Sequence, residues 1–451
     1  MQYIYRITFN LVYKLTRYLQ EGFRNLVIFL CCIVLFWTYF FSAMDVLGIK
    51  TQVIGSVIFL IIVIISINKP LVNIKWNIGV YYSMVLFGIG ILLIEKVHPI
   101  GDGYVMYAID LILLFPALYY VWGNRGDYKT LYTLLSLAIW VLGLASFIYC
   151  CFLAIEGSLG VVNGRVTGLR ANANTFSRLG VILFLSSIYL IWEKWSNKLA
   201  IAIYSTGVGI GLSYVILSAS RTSLISVLVC LISLTLISLK SKKREKGLEK
   251  TLKVFIMISI GATLFVMGVQ LNDINEHSIN RERLLKESLE NIETSNAVEN
   301  TEEKPNDINN AVNRIVSKRD ANSYSSGRLN IWRVYSKHIS FLGSEYEVLK
   351  TELGDAKVYY AHNNVIEYIF RCGYLVGSIY VVFFLLQGIK GLKLLFSKQY
   401  RRPWAFFAVA VVGLYSILAM LDIATLPFCG VFTSVYFLSI APIVVEGRAE
   451  A

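Results

Sequence analysis

Long runs of apolar residues, separated by short polar segments, recur along almost the whole chain. Runs of about 16 to 25 residues with few charges are long enough to cross the hydrocarbon core of a bilayer as helices. Twelve such runs predict an all-α polytopic membrane protein with about 12 transmembrane helices. The predicted spans are residues 25–43, 52–67, 77–94, 103–122, 130–154, 174–192, 199–218, 221–239, 254–271, 364–387, 404–421 and 427–445.

Two polar segments complete the predicted layout. Residues 1–20 mix basic, aromatic and aliphatic side chains, which predicts a short amphipathic helix on the cytoplasmic membrane surface. One large outer loop lies between predicted helices 9 and 10, and its second half, GRLNIWRVYSKHISFLGSEYEVL, has the apolar spacing of short helices. The predicted regions are the amphipathic segment 1–24, helices 1–9 in 25–271, the loop 272–363, helices 10–12 in 364–446 and a cytoplasmic tail 447–451.

The distribution of basic residues predicts the orientation, because lysine and arginine concentrate in cytoplasmic loops. With the N-terminus inside and twelve alternating spans, the seven inside segments hold 23 of the 42 lysine and arginine residues. The two densest basic runs, residues 240–253 and 390–403, both fall inside. Both termini are therefore predicted to be cytoplasmic.

Composition excludes several other classes of protein. Hydrophobic residues make up 56% of the chain and the mean hydropathy is +0.61, so a soluble fold of this size would lack polar surface. The net charge of +13 arises at the cytoplasmic membrane surface, where anionic lipids attract it, so no nucleic-acid partner is expected. All seven cysteines lie in apolar spans, and the outer segments lack HExxH, P-loop and DxD patterns, so no metal site is predicted.

Several arginines occur in or next to the predicted outer loops, against the general trend. They are Arg165 and Arg170 in NGRVTGLRANANTFSRLG, Arg178 one turn into span six, Arg221 in LSASRTSLI and Arg328 in GRLNIW. Each could be an interfacial arginine whose head reaches lipid phosphates, and Arg178 is the one most in need of a buried partner. Taken together, they suit a lipid-linked diphosphate, because guanidinium groups bind phosphate with two parallel hydrogen bonds.

The segment ANANTF predicts the start of a helix, with Asn174 or Thr175 as the N-cap. A helix N-terminus at this position would present free N–H groups to an anion. Asn172 and Asn174 are therefore candidates either for capping or for direct contact with a ligand.

The remaining candidates lie at the predicted outer end of span ten, in YYAHNNVIEYIFRCGYLVG. A lone histidine such as His362 is more often a surface or hydrogen-bonded residue than a catalyst. Glu367 and Arg371 are four residues apart and form a predicted ion pair inside the apolar span. Ionisable residues within a membrane are functional candidates by default, although this pair could also be a structural salt bridge.

These residues resemble the bacterial O-antigen ligase and polymerase family. That family is marked by a histidine, a small polar residue, nine further residues, a glycine and a second glycine shortly after. His362, Asn363 and Gly373 fit this spacing, whereas the second glycine falls at Gly377, one position later than in the family. Further similarities are the Ser220–Arg221 pair, Arg328 shortly before Trp332, and NGRVTGL followed by NAN. The resemblance covers roughly residues 155–387.

The resemblance implies a GT-C-like glycosyltransferase architecture in the bacterial cytoplasmic membrane. It also implies metal-independent, inverting glycosyl transfer without a cofactor. The donor would be an undecaprenyl-diphosphate-linked oligosaccharide, and the acceptor a glycan or another lipid-linked repeat. Flippase and chain-length regulator proteins are expected partners, besides the lipid bilayer itself.

The resemblance also implies roles for individual residues. The catalytic candidates are His362, Arg221 and Arg328. The substrate-binding candidates are Arg165, Arg170, Asn172, Asn174, Arg178, Trp332, Asn363, Glu367 and Arg371. His362 could take the proton of the acceptor hydroxyl or bind a phosphate oxygen as imidazolium, and the sequence does not choose between these roles.

Three alternatives remain open from the sequence. A surface polysaccharide polymerase is favoured over a ligase that transfers the finished chain to a final acceptor. A flippase or transporter for the same lipid-linked sugars would also have many spans, but it should place charges along a central path. Asp110 is the plainest mid-span charge. A non-catalytic scaffold would explain the large loop but not the outer arginines.

Overall fold

A computed structural model describes most of the chain. The described residues are 2–41, 49–101, 103–162, 165–170, 172–239, 328–353, 360–396, 403–421, 426, 428 and 430–448. The first helices are α1 (Gln2–Thr16), α2 (Glu21–Phe40), α3 (Ile49–Ile65), α4 (Ile78–Glu95), α5 (Tyr104–Ile109), a π-helical turn (Asp110–Leu114), α6 (Phe115–Arg125), α7 (Tyr128–Ile155), α8 (Ala173–Glu193), α9 (Lys198–Leu217) and α10 (Arg221–Leu239). The later helices are α11 (Arg328–Lys337), α12 (Glu347–Leu353), α13 (Asn364–Phe396), α14 (Pro403–Leu421), α15 (Val431–Ser439) and α16 (Ala441–Val444). The strands are β1 (Ile74–Trp76), β2 (Gly160–Val162), β3 (Arg165–Gly168) and β4 (Val445–Arg448).

Eight helices in the described part of the chain are long and apolar enough to cross a membrane. They are Glu21–Phe40, Ile78–Glu95, Tyr104–Arg125, Tyr128–Ile155, Ala173–Glu193, Lys198–Leu217, Asn364–Leu395 and Pro403–Leu421. Two shorter apolar helices, Gln52–Ile65 and Arg221–Ile232, coincide with predicted spans two and eight. The predicted class, a helical multi-pass membrane protein, is confirmed at this level.

Several details differ from the twelve-span, all-α prediction. The predicted span 254–271 and the loop residues 272–327 lie outside the described residues. The predicted last span, 427–445, is not one helix, because α15 and α16 are followed directly by strand β4. Pro442 is the second residue of the short helix α16 and cannot donate a backbone hydrogen bond to a preceding turn. Two small antiparallel sheets, β1–β4 and β2–β3, accompany the helices.

The chain divides into two compact units. Unit 1 contains residues 1–39, 43–138 and 319–451, and unit 2 contains residues 40–42 and 139–318. The boundary falls within α7, so the first part of that helix belongs to unit 1 and the remainder to unit 2.

In unit 1, helix α4 packs closely against α13. A Cβ atom added at Gly90 would lie 2.7 Å from Val376 Cγ1, and one added at Gly79 would lie 3.1 Å from Leu386 Cδ1. The two glycines therefore allow the helix surfaces to approach over several turns. Aromatic contacts fill the adjacent core, as in the stacked rings of Phe115 and Phe437, whose centroids are 4.2 Å apart.

One end of unit 1 is organised by the β1–β4 sheet. Ile74 pairs with Arg448 in antiparallel register, so the segment after α3 and the C-terminal strand lie side by side. Helix α1 joins them, since Gln2 Nε2 donates to the Ile74 carbonyl at 2.8 Å and the Leu71 N–H donates to Asn10 Oδ1 at 2.8 Å. The predicted N-terminal helix is thus confirmed as a helix. Its exposed apolar residues form one stripe: Ile4, Ile7, Leu11 and Leu15.

The π-helical turn within the third long helix has a local cause. Pro116, at the start of α6, lacks an N–H group and its ring crowds the preceding turn, so the backbone widens upstream of it. The carboxylate of Asp110, at the first position of the π-turn, is buried. It accepts the Ser56 hydroxyl at 3.0 Å, which partly compensates for that burial.

Unit 2 is centred on the packing of α8 against α9. A Cβ atom added at Gly180 would lie 2.5 Å from the Gly211 carbonyl oxygen, and one at Gly211 would lie 2.6 Å from the Gly180 carbonyl oxygen. The two backbones therefore approach each other directly, as small residues permit between membrane helices. The hairpin β2–β3 precedes α8, and Gly168, with φ +59°, lies against the ring of Phe176.

Candidate functional site

His362 lies immediately before helix α13 in unit 1 and has an unusual backbone conformation. It is half-buried, and its φ of +52° falls in the left-handed region. Left-handed φ values are uncommon for residues with a Cβ atom, although histidine adopts them more often than most. Such a conformation costs free energy and persists only where neighbouring contacts enforce it.

The residue before His362 is held from both sides. Trp332 Nε1, on α11, donates to the Ala361 carbonyl at 2.7 Å, and the Ala361 N–H donates to Glu367 Oε2 at 2.7 Å. Ala361 is fully buried, so both of its backbone groups depend on these partners. Trp332 and Glu367 therefore fix the chain at the point where His362 enters the left-handed region.

The residue after His362 is held equally well. Asn363 is the N-cap of α13, and its Oδ1 accepts the N–H groups of Val365 at 2.9 Å and Ile366 at 3.2 Å. Its Nδ2 donates to the carbonyl of Met420, near the end of α14, at 3.0 Å. Asn363 thus serves both as a cap and as a link to a second helix.

Arg328 binds the same helix end as Asn363. Its Nη1 donates to the carbonyl of Leu421, the last residue of α14. A cation at this position is stabilised by the free carbonyls and the negative end of the helix dipole. Arg328, Trp332, His362 and Asn363, which the sequence proposed separately, are thereby brought together.

The predicted Glu367–Arg371 ion pair is confirmed. Arg371 Nε lies 2.5 Å from Glu367 Oε1, and the Tyr346 hydroxyl also donates to this carboxylate, which is fully buried. Arg371 Nη1 donates to the Ile100 carbonyl, after α4. The guanidinium carbon lies 4.0 Å from the centroid of the Tyr346 ring and 5.1 Å from that of Tyr104. The charged pair is therefore surrounded by partners, as buried charges require.

Helix α13 is interrupted at Gly373, where φ is +78° and ψ is 172°. A loop docks at the break, since the Ser344 N–H donates to the Phe370 carbonyl at 2.7 Å and the Tyr374 N–H donates to the Ser340 carbonyl at 3.2 Å. A Cβ atom at Gly373 would lie 2.1 Å from the carbonyl oxygen of Phe341. The first glycine of the motif thus permits both the positive φ and the close approach of the loop.

The second glycine of the motif also has a packing role. A Cβ atom at Gly377 would lie 2.6 Å from Cα of Ile369, on the other side of the break in α13. Position 376, where the family has its glycine, is occupied by Val376, which packs against Gly90 of α4. The departure from the family spacing therefore coincides with close packing at both positions.

Two short helices cover this part of unit 1, as the sequence predicted for the second half of the outer loop. Tyr335 of α11 is fully buried with Leu349, Ala361 and Phe370, and burial raises the pKa of its hydroxyl. His338 contacts the Glu352 carboxylate at 2.8 Å, and that hydrogen bond lowers the pKa of Glu352. His338 thus has Glu352 as a structural partner.

In unit 2, the sequence misplaced the start of helix α8. The N-cap is Asn172, not Asn174 or Thr175, and its side chain accepts the Asn174 N–H at 2.8 Å. The short polar side chain of Asn172 therefore caps the helix two residues before Asn174. Asn174 instead accepts a hydrogen bond from Arg165 Nη2 at 2.6 Å. Both asparagines therefore stabilise the local structure.

The arginines of unit 2 gather where α9 ends and where α8 and α10 begin. Arg165 Nε donates to the Ser218 carbonyl, just after α9, at 2.7 Å. The hydroxyls of Ser177 and Ser223 lie 2.7 Å apart, which joins the first turns of α8 and α10. Three further half-buried candidates occur around these contacts: Arg170, Arg178 and Arg221.

The candidates thus form two sets, one in each unit. The sequence did not identify the backbone groups that bind them, such as the Ala361 amide and the Ile100 carbonyl. It also missed Tyr346 and Tyr104, because their role depends on the docking of distant segments. Tyr346 could have been noticed as an aromatic residue within the predicted loop helices, but nothing local pairs it with Glu367.

The fold and these contacts define a polytopic helical protein with a broken membrane-type helix beside a strained histidine. Comparison with protein-family models finds no match for the chain, and no curated protein matches it.

Proposed function

We propose that the chain is a membrane glycosyltransferase that acts on undecaprenyl-diphosphate-linked oligosaccharide at the outer face of the bacterial cytoplasmic membrane. A surface polysaccharide polymerase is favoured, and an O-antigen ligase is the alternative within the same chemistry. The proposal rests on the resemblance of the motif residues. It is supported by the convergence of Arg328, Trp332 and Asn363 around the strained backbone of His362.

That convergence favours a functional role for His362, because the surrounding contacts hold its backbone in the strained left-handed conformation. Hydrogen bonds made by the backbone of Ala361 and by the side chain of Asn363 hold the chain on both sides of His362. Strained residues cluster at functional sites, since pre-organisation of a reactive group requires such constraints. The helix break at Gly373 also admits the loop 340–344, which bonds to Phe370 and Tyr374 in the helix that His362 precedes.

In the proposed reaction, a hydroxyl oxygen of the acceptor sugar attacks the anomeric carbon of the donor from the face opposite the diphosphate. The carbon–oxygen bond to the diphosphate breaks, and the diphosphate leaves with the electron pair. His362 accepts the proton of the attacking hydroxyl, a contribution of about 10²–10⁴-fold in rate for a positioned base. Arginines stabilise the negative charge that grows on the leaving diphosphate.

The arginines have different roles in this proposal. Arg165 and Arg371 donate hydrogen bonds to backbone carbonyls and to acidic or amide side chains of the protein. We therefore assign these two the role of positioning the surrounding segments. Arg221, at the first residue of α10, stays the proposed phosphate-binding arginine.

Substitution of His362 tests the proposal. Asparagine tolerates left-handed φ better than alanine does, so His362→Asn removes the imidazole and keeps the backbone conformation. We expect His362→Asn to lower single-turnover transfer from a lipid-diphosphate donor by about 10²–10⁴-fold. The thermal unfolding midpoint and donor binding should stay close to those of the parent protein.

The control is His338→Asn, which removes a histidine that pairs with Glu352 instead. It should change transfer little. Equal transfer rates in the two variants would contradict a catalytic role for His362. A large fall in unfolding temperature for His362→Asn would indicate a structural role.

A transporter for lipid-linked sugars is the second candidate, because two observations favour it. Helix α13 is broken at Gly373, and discontinuous helices form the binding sites of many transporters. Asp110 is a buried carboxylate within a long apolar helix. A glycan profile of a deletion strain separates the readings: single-repeat chains indicate a polymerase, unattached long chains a ligase, and lipid-linked repeats retained in the cytoplasm a flippase.

A further inference from the structure

A cavity of about 710 Å³ lies at the end of unit 1 where strands β1 and β4 pair. Its wall is formed by Gln2 of α1, by β1 and the first turns of α4, and by single residues of α13 and β4. The sequence predicts that all of these segments face the cytoplasm. None of the residues proposed for glycosyl transfer lines this cavity.

The charges in the cavity are two lysines that share one carboxylate. Lys390 Nζ lies 3.1 Å from Glu446 Oε1, and Lys75 Nζ lies 3.7 Å from Glu446 Oε2. The hydrogen bond from Lys390 lowers the pKa of Glu446, so its carboxylate is ionised at neutral pH. One positive charge therefore stays uncompensated within this group, and a second anion would be attracted to it.

The other walls are aromatic and apolar. The rings of Trp76 and Tyr81 have centroids 4.4 Å apart, and Trp76 Nε1 is buried without a hydrogen-bond partner among the described residues. Ile78 and Tyr82 line the cavity and are 68% and 56% exposed. The exposed apolar stripe continues along α4 through Leu86, so the cavity opens onto a surface suited to lipid chains.

The cavity is far from the site proposed for glycosyl transfer. Ile78 at the start of α4 lines it, whereas Glu95 at the other end precedes Ile100, whose carbonyl binds Arg371. The 18 residues of α4 rise about 27 Å, close to the thickness of a bilayer core. The two sites therefore lie near opposite membrane interfaces.

We propose that this cavity binds the phosphate head group of an anionic phospholipid. The lipid phosphate lies between Lys75 and Lys390, where it competes with the carboxylate of Glu446, and it accepts a hydrogen bond from Trp76 Nε1. The acyl chains lie along the exposed apolar residues of α4. The Trp and Tyr rings sit at the level of the head groups, as aromatic residues commonly do at membrane interfaces. This proposal does not depend on the proposed glycosyl transfer.

The purified full-length protein is first exchanged into a mixture of equal amounts of phosphatidylglycerol and phosphatidylcholine. Native mass spectrometry then measures which phospholipid stays bound. We expect the parent protein to retain phosphatidylglycerol preferentially. Glu446→Gln removes the competing carboxylate, so retention should rise about two- to fivefold, the range of exposed ion-pair effects. Lys390→Ala should lower retention by a similar factor.

A control variant in the same helix makes the result decisive. Lys393→Ala removes a neighbouring exposed lysine of α13 that does not line the cavity, and it should leave retention unchanged. An equal loss with Lys393→Ala would overturn the proposal in favour of a general surface-charge effect. Unchanged or lower retention with Glu446→Gln would also overturn it.

A separate titration distinguishes binding of a lipid head group from binding of free phosphate. Inorganic phosphate is titrated against protein in nanodiscs of phosphatidylcholine, with intrinsic tryptophan fluorescence of the parent and of Trp76→Phe as the readout. If the site binds lipid, phosphate should change the tryptophan fluorescence little. Phosphatidylglycerol should change it more, and Trp76→Phe should remove that larger change. Saturable phosphate binding without any preference for phosphatidylglycerol would overturn the assignment to a lipid.

Discussion

His362 and Gly373 are the two positions with left-handed φ that frame the first turns of α13. They illustrate different uses of this conformation. Glycine adopts positive φ at little cost, so Gly373 permits the break and the docked loop. Histidine has a Cβ atom, so the same region at His362 costs free energy that its neighbours must offset.

The role of Gly373 can be tested with alanine. Gly373→Ala combines a positive φ with a Cβ atom 2.1 Å from the Phe341 carbonyl oxygen. Backbone strain alone should cost about 1–3 kcal/mol, and displacement of the loop should add to it. We expect a clear fall in the thermal unfolding midpoint of the purified protein.

Gly388 provides a matched control in the same helix. Nothing lies within 4 Å of a Cβ atom added at Gly388, and its φ is not in the left-handed region. Gly388→Ala should leave the midpoint unchanged or raise it slightly, since alanine is favoured over glycine by about 0.5–1 kcal/mol in helices. A similar midpoint for both variants would mean that the break at Gly373 is not required for stability.

The helices themselves were predictable from local pattern, whereas their interruptions were not. Apolar runs of sufficient length identified all eight long apolar helices found among the described residues. The i,i+4 spacing of Glu367 and Arg371 predicted their ion pair, because neighbouring helix turns place such side chains together. The break at Gly373 escaped notice, since a glycine in an apolar run is also common in continuous membrane helices.

The strand pairing and the loop docking depend on contacts between distant segments. Ile74 pairs with Arg448, 374 positions later in the sequence, in strands of three and four residues that are too short to show alternation. The N-cap of α8 was misplaced because three candidate polar residues occur within four positions. Only the backbone geometry shows that Asn172 caps the helix.

Substitution of two arginines by lysine distinguishes a link between elements from a phosphate contact. Arg165 joins the β2–β3 hairpin to the end of α9 and to the first turn of α8 through Ser218 and Asn174. The single nitrogen of a lysine side chain cannot replace Nε and Nη2 of Arg165 at once, so Arg165→Lys should lower the stability of the protein by about 1–2 kcal/mol. A thermal unfolding assay measures this effect.

Arg221→Lys should give the opposite pattern. It keeps the charge but loses the two-pronged contact to phosphate, so transfer activity should fall about tenfold to a hundredfold at normal protein abundance. Near-normal activity with Arg221→Lys would indicate that Arg221 is an interfacial residue that contacts lipid phosphates and not the donor diphosphate. A normal unfolding midpoint with Arg165→Lys would contradict the linking role of Arg165.

Contacts within unit 1 define two groups of segments at the two ends of α4. His98 Nε2 lies 3.0 Å from the Leu342 carbonyl, so the segment after α4 lies beside the loop 340–344. The β1–β4 sheet and the Asn10–Leu71 contact gather the other group. The charge distribution predicts the first group to be outside and the second to be cytoplasmic.

Cysteine labelling in intact cells tests this arrangement for the whole molecule. Val97 and Phe341 belong to the first group and Val72 to the second, and all three side chains are exposed. We expect cysteines at 97 and 341 to react with a membrane-impermeant thiol reagent, relative to the parent protein. A cysteine at 72 should react only after the membrane is opened. Different labelling at 97 and 341 would contradict their shared end, since the His98–Leu342 contact requires both on one side. Labelling at 72 alone would place His362 at the cytoplasmic face, and the donor proposed here would then be on the wrong side of the membrane.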